Sequence, residues 1–277
     1  MNANSGFHFP ADMELVKPPL AEAWIEIRWQ LESMPSSPLV RDPFFPYALG
    51  AFYRNVRDRF PVQKNLQTSL APEDLLPQVV RHQFWTGEDT WPLLQIGPGI
   101  ASANFVSPYT WEEFREVALY LCRNLTDAYD QKGLRIDTVS LHYRNVEAFD
   151  YLNEDLTAFL SNKLNTKLSL PEYIPGFFSV KNWPIGANIS LQFNMHTPPG
   201  IGTVTIATGT GRKKGKSEEE AILVWQLDFA SEGDIAPGIE DEKNLENWLT
   251  SAHNILHEWF FSLVDGPLLS KYQSRGT

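Results

Sequence analysis

Only one cysteine, Cys122, occurs in 277 residues. That count excludes a disulfide framework within the chain and a thiolate metal cluster. Cys122 falls in a segment of helical periodicity, where the expectation is packing, not reactivity. No stretch reaches the roughly 18 apolar residues of a membrane span. The opening MNANSGFHFPADMELVKPP lacks the basic start and apolar run of a signal peptide. The expected compartment is therefore the cytoplasm, with no membrane partner, and the sequons at Asn124 and Asn188 carry no expectation of glycosylation. Positive charge is also short, with Lys+Arg 23 against Asp+Glu 34 and a net charge of −11. Nucleic acid held by general electrostatics needs clustered cations along its phosphates, so it is not an expected partner.

Motifs of familiar chemistry are missing too. No G-x-S-x-G turn presents a nucleophilic serine, so no catalytic residue is assigned. The stretch GTGRKKGKSEEE, Gly209 to Glu220, ends like a phosphate-binding loop in Gly215-Lys216-Ser217. The pattern G-x-x-x-x-G-K-[ST] requires a glycine at 210, and Thr210 stands there. Both flanks read as strands, and no helix follows to aim its N-terminus at a phosphate. The segment is expected to be a hairpin tip. Its basic residues Arg212, Lys213, Lys214 and Lys216 form either a solvated loop or a tip that takes an anion or a partner. His253 and His257 stand at i, i+4 on an expected helix, the spacing of a two-histidine metal pair. The residues between them are Asn254, Ile255 and Leu256, so no general base intervenes, and no third ligand is identifiable. The expectation is the polar flank of an amphipathic helix, with no metal and no cofactor.

What is present is clear periodicity. In AEAWIEIRWQL, Ala23, Ile25, Ile27, Trp29 and Leu31 alternate with Trp24, Glu26, Arg28 and Gln30, as in a half-buried strand. Leu49, Phe52, Val56 and Phe60 follow at helical spacing. Residues 82–86 and 93–105 read as strands, the second broken at Gly97-Pro98-Gly99. Thr110 and Glu113 make a capping box ahead of a helix carrying Phe114, Val117, Leu121 and Leu125. A strand is expected over 136–144. Beyond it come a helix near 151–164, strands near 187–196, 202–209 and 221–230, and a long helix ending at Val264. Trp248, Leu249, Ala252, Ile255, Leu256, Trp259, Phe260 and Leu263 give that last helix a broad apolar face. The expected fold is α+β. It has a leader (1–19), a ferredoxin-like β-α-β-β-α-β half (20–150), and an α-β-β-β-α half with an antiparallel sheet (151–277). No strong internal repeat is visible.

Ferredoxin-like order would make the first and fourth strands neighbours. Glu26 and Arg28 on one, with His142 and Arg144 on the other, are therefore the candidate polar groove for a ligand or partner. Asp228, on the strand WQLDF, is a weaker candidate, expected at an edge or in solvent.

Four short motifs occur in a distinctive order: Pro18-Pro19-x-x-Glu22, Trp111-Glu112-Glu113-Phe114, Leu141-His142-Tyr143-Arg144-Asn145 and Leu256-His257-Glu258-Trp259-Phe260. Together, over about 18–272, they resemble the "sporadically distributed protein" family of uncharacterised bacterial and archaeal proteins. The family pattern favours Leu-Arg-Tyr-x-Asn, and His142 replaces its arginine here, with Arg144 the available substitute. The resemblance implies no active site. The family's patchy distribution implies an interaction protein, antitoxin-like or accessory to a mobile defence module, with a protein partner encoded nearby. Two other readings stand beside it: a small-molecule or nucleotide sensor using a cleft between the halves, and a hydrolytic enzyme.

Overall fold

The structure, a computed structural model, describes residues 9–10, 13, 15–34, 38–129, 134–169, 184–212, 218–239 and 241–274. The alternation in the first strand is realised as burial. In β1, Leu20–Trp29, the side chains of Ala23, Ile25, Ile27 and Trp29 are fully buried, and those between them are not. After the two-residue strands β2 (Glu32–Ser33) and β3 (Val40–Arg41) come α1 (Phe45–Val56), β4 (Val62–Asn65), β5 (His82–Gly87), β6 (Thr90–Gly97), β7 (Ile100–Phe105) and α2 (Trp111–Ala128). The chain continues through β8 (Ile136–Ala148), α3 (Leu156–Lys163), β9 (Asn188–His196), β10 (Pro199–Gly211), β11 (Glu220–Glu232), α4 (Glu242–Val264) and α5 (Pro267–Gln273).

Among the described residues, nine strands form one sheet in the order β4-β5-β6-β7-β1-β8-β11-β10-β9, and every neighbouring pair is antiparallel. The α+β class stands, but this order overturns the ferredoxin-like expectation. Two strands were hidden from periodicity. Val62–Asn65 is too short to show a pattern, and 93–105 is a hairpin rather than one broken strand, turned at Gly99 with φ 76°. β8 does lie beside β1, but on its other side it pairs with β11 over eleven positions, from Ile222↔Ala148 to Glu232↔Thr138. Residue 150 thus falls between strands of a single sheet.

The connectivity repeats. With the separate β2–β3 pair set aside, the first run is β1-α1-β4-β5-β6-β7-α2, and the second is β8-α3-β9-β10-β11-α4 among the described residues. In the sheet, β5-β6-β7-β1 answers β9-β10-β11-β8, and the two runs meet at the antiparallel pair β1 and β8. The sheet is therefore pseudo-two-fold about its central strand pair. β4 extends the first run by one strand that has no counterpart among the described residues of the second.

All five described helices pack on the sheet face that carries Ile25, Leu141 and Leu227. Burying each large apolar side chain there contributes about 1.5–3 kcal/mol. The helix starts are capped as their sequences suggest: Thr110 accepts from the Glu113 N–H, Asp155 from Ala158, and Asp241 from Lys243 and Asn244. α2 and α4 lie side by side, tied by Arg115–Glu246 and Arg123–Glu242. At one end, buried Asp42 takes the Trp29 indole N–H at 2.8 Å and the Tyr129 hydroxyl at 2.7 Å. It also accepts the N–H groups of Phe44 and Phe45. Among the described residues, no helix is long and apolar enough to cross a membrane.

Candidate functional site

The sheet face opposite the helices carries the even-numbered positions of β1 and β8. There the expected quartet splits in two. Arg28 Nε donates to Glu26 Oε1 at 2.7 Å, and Arg28 reaches on to Gln78. His142 and Arg144 join a different chain of hydrogen bonds that crosses five strands. Gln95 on β6 donates to Asn104 on β7, which donates to Glu22 on β1. Arg144 on β8 bridges Glu22 and Gln226 of β11, and Gln226 donates to Asp228. His142 sets Nδ1 2.6 Å from Asp228 Oδ1 and Nε2 2.8 Å from Ser140 Oγ. Its ring stacks on Trp24 at 4.5 Å, and the Arg144 guanidinium lies 5.0 Å from that same indole. Asp228, expected at an edge or in solvent, is a half-buried node of this chain.

Ser140, His142 and Asp228 have the connectivity of nucleophile, base and orienting acid. Acyl transfer also needs N–H donors aimed at the developing oxyanion. The amides of this part of β8 are engaged with β1 and β11 on either side, and Ser140 is only 4% exposed. The relay links side chains across the polar face of the sheet.

The concave feature lies on the other side of the sheet, and the sequence reading missed it. A cavity of about 370 Å³ opens between the leader, the start of α2, the middle of α4 and the strands β8 and β11. Its walls are mostly apolar, including Leu15, Leu20, Leu227, Leu256, Phe260 and Phe261. Among the lining groups that can hydrogen-bond, Tyr109, Tyr143, His253 and His257 stand out. Tyr109 precedes α2, and its hydroxyl lies 3.0 Å from that of Tyr143. The Tyr143 hydroxyl in turn lies 2.9 Å from His253 Nδ1. Trp111 covers His253 face to face, ring centres 3.8 Å apart and 6° from parallel. One helical turn on, His257 keeps Nε2 buried and without a hydrogen-bond partner among the described residues.

Burial sets the charge state of the cluster. It pulls the His253 imidazole from 6.5 down to about 3, with the neighbouring His257 adding to the effect. Burial lowers His257 as well, against the pull of Glu258. The Tyr109 and Tyr143 phenols are raised, chiefly by burial. At neutral pH all four groups are uncharged.

The two histidines are therefore not the polar flank expected of them: His253 is buried and His257 half-buried. A signal was available. His253 continues the stripe Leu249–Leu256–Phe260 at helical spacing, and Tyr143 sits at a buried phase of the β8 alternation. A polar group at a core phase marks either a satisfied contact or a site, and only the structure brings these together. Among the described residues, no group of three or more His, Cys, Asp or Glu could hold a metal ion. At the basic loop, β10 and β11 pair out to Gly211↔Glu220, and Arg212 faces Glu219 at 3.4 Å. Lys213, Lys214 and Lys216 lie outside the described residues.

Fold and site together define an antiparallel α+β protein with one helix-covered face and a cavity beneath its helices. Compared with protein-family models, curated proteins and solved structures, the chain matches none. Neither the geometry nor these comparisons support the interaction and defence roles expected from the resemblance.

Proposed function

We propose that the protein binds a small, predominantly apolar molecule in the cavity between α2, α4 and the sheet. One observation carries this reading: an apolar cavity whose wall holds a convergent set of neutral hydrogen-bonding groups, one of them unpartnered. Ligand sites are concave and mostly apolar with a few placed polar groups, and they run from about 300 to 1,000 Å³. The lining draws on residues from both sides of position 150, which suits the sensor reading that placed a ligand between the halves. The resemblance to the sporadically distributed family brings no active site with it and adds nothing to this reading.

The test is a thermal-shift screen of small aromatic and alicyclic compounds on the wild type and on Leu256→Trp, which fills the cavity. A ligand at about 100 times its Kd stabilises the folded state by about 2.7 kcal/mol. The wild type should respond and the filled variant should not. Equal shifts in both, or none in either, would remove the cavity as the site.

A further inference from the structure

The charge and shape of the cavity wall go further than apolar character. On the basis of the ligand-binding reading of that cavity, we infer that the ligand is a neutral, ring-bearing molecule carrying a hydroxyl or a comparable group that both donates and accepts hydrogen bonds.

Three observations converge. The first is charge. Among the described lining residues, Glu112 is the one charged side chain, and none is Lys or Arg. An anionic head group would enter without a counter-ion among the described lining residues and would meet Glu112. A cationic head group fares no better inside. Glu112 is exposed to solvent, and the groups behind it are uncharged imidazoles and phenols, so an ammonium would lose its water without gaining a buried carboxylate.

The second is the unpartnered nitrogen. His257 lines the cavity, and its Nε2 is covered and without a bond to any described residue; a turn of the ring that brings this nitrogen to the cavity surface exchanges a costly unpaired atom for a hydrogen bond. A neutral imidazole nitrogen is either a donor or an acceptor according to tautomer. A hydroxyl satisfies both cases. The relay beside it has the same two-way character. With its proton on Nε2, His253 accepts at Nδ1 from Tyr143, which accepts from Tyr109. With the proton on Nδ1 the chain reverses, and the Tyr109 hydroxyl is left to donate elsewhere.

The third is shape. The Trp111–His253 stack and the Phe261 ring, 4.6 Å from that of His257, give the cavity flat aromatic surfaces. Flat rings pack against such surfaces in offset or edge-on contact.

Four probes built on one ring separate the possibilities: phenol, benzene, benzoate and benzylamine, titrated calorimetrically into the full chain at pH 7.5. Phenol should bind about tenfold tighter than benzene, the size of one good hydrogen bond. Benzoate and benzylamine should each bind at least about tenfold more weakly than phenol. His257→Phe keeps a ring in place and removes the nitrogen. It should bring phenol to within about threefold of benzene, with a melting temperature no lower than wild type because an unpaired buried group is gone. Benzoate or benzylamine matching phenol overturns the neutral class, and a phenol preference that survives His257→Phe overturns the hydroxyl assignment. Benzene binding as tightly as phenol removes the hydroxyl and leaves the cavity reading standing. If none of the four binds the wild type, the cavity reading itself fails.

Discussion

His253 makes acid sensitivity a property of one side chain. Its folded pKa, about 3, lies below the 6.5 of the free imidazole. The unfolded chain therefore takes up the proton first, and stability falls as pH drops below about 6.5, levelling off near 3. At pH 5 the loss from this group is on the order of 2 kcal/mol. His82 and His257, also lowered by burial, act in the same direction. Urea unfolding at pH 7 and pH 5 should show a drop for the wild type that shrinks by about that amount in His253→Gln. An unchanged drop would mean that His253 is not held neutral. On the opposite face, Asp228→Ala removes the acceptor shared by His142 and Gln226. It should cost about 1–3 kcal/mol, the range for leaving a buried partner unsatisfied. A cost under about 0.5 kcal/mol, the level of ordinary surface substitutions, would make the five-strand chain of bonds ornamental.

The elements were legible where a pattern was long enough to repeat. β1, α2 and α4 each carry four or more phased apolar residues, and all three form as expected. β4 has four residues and the β6–β7 turn interrupts a single apolar run, so neither gives a period to read. The face assignment in β1 is testable. Ile27→Asp puts a charge into the core and should cost on the order of 3–5 kcal/mol. Glu26→Ala, on the face without helices, should cost about 0.5 kcal/mol. Equal damage from both would mean that both faces are packed. Between elements, Gly202 on β10 lies beneath the Trp259 ring of α4, and any Cβ there would run into the indole. Gly202→Ala should therefore cost about 1–3 kcal/mol by overpacking. In the Gly202→Ala background, Trp259→Ala should cost less than it does alone, because the two changes share one contact. Additive costs in a double-mutant cycle would show that the close approach is not what constrains position 202.

At the scale of the whole molecule the sequence was least informative. The repeat is one of connectivity, and it becomes visible only when β8 is seen to open the second run instead of closing the first. The cavity was hidden for a related reason: Tyr109, Tyr143 and His253 are separated by up to about 144 positions in sequence and meet only because α2 and α4 lie together over one sheet. A chain cut after residue 150 should fail as two parts. Residues 151–277 would lose β8, the strand that covers one edge of β11 and supplies Tyr143 and Leu141 to the shared core. Expressed alone, that piece should show no cooperative melting transition; a sharp one would establish it as an independent folding unit.

The central pair β1 and β8 has a consequence for concentration. Two-fold sheets of this kind can equally be assembled from two separate copies, one run each, joined edge to edge by their first strands. Such an assembly comes apart on dilution, because its central ladder is a bimolecular contact. Here the link from α2 to β8 makes the contact intramolecular, and the effective concentration of one run around the other is set by that link alone. The β1–β8 ladder therefore forms within one chain and needs no second copy.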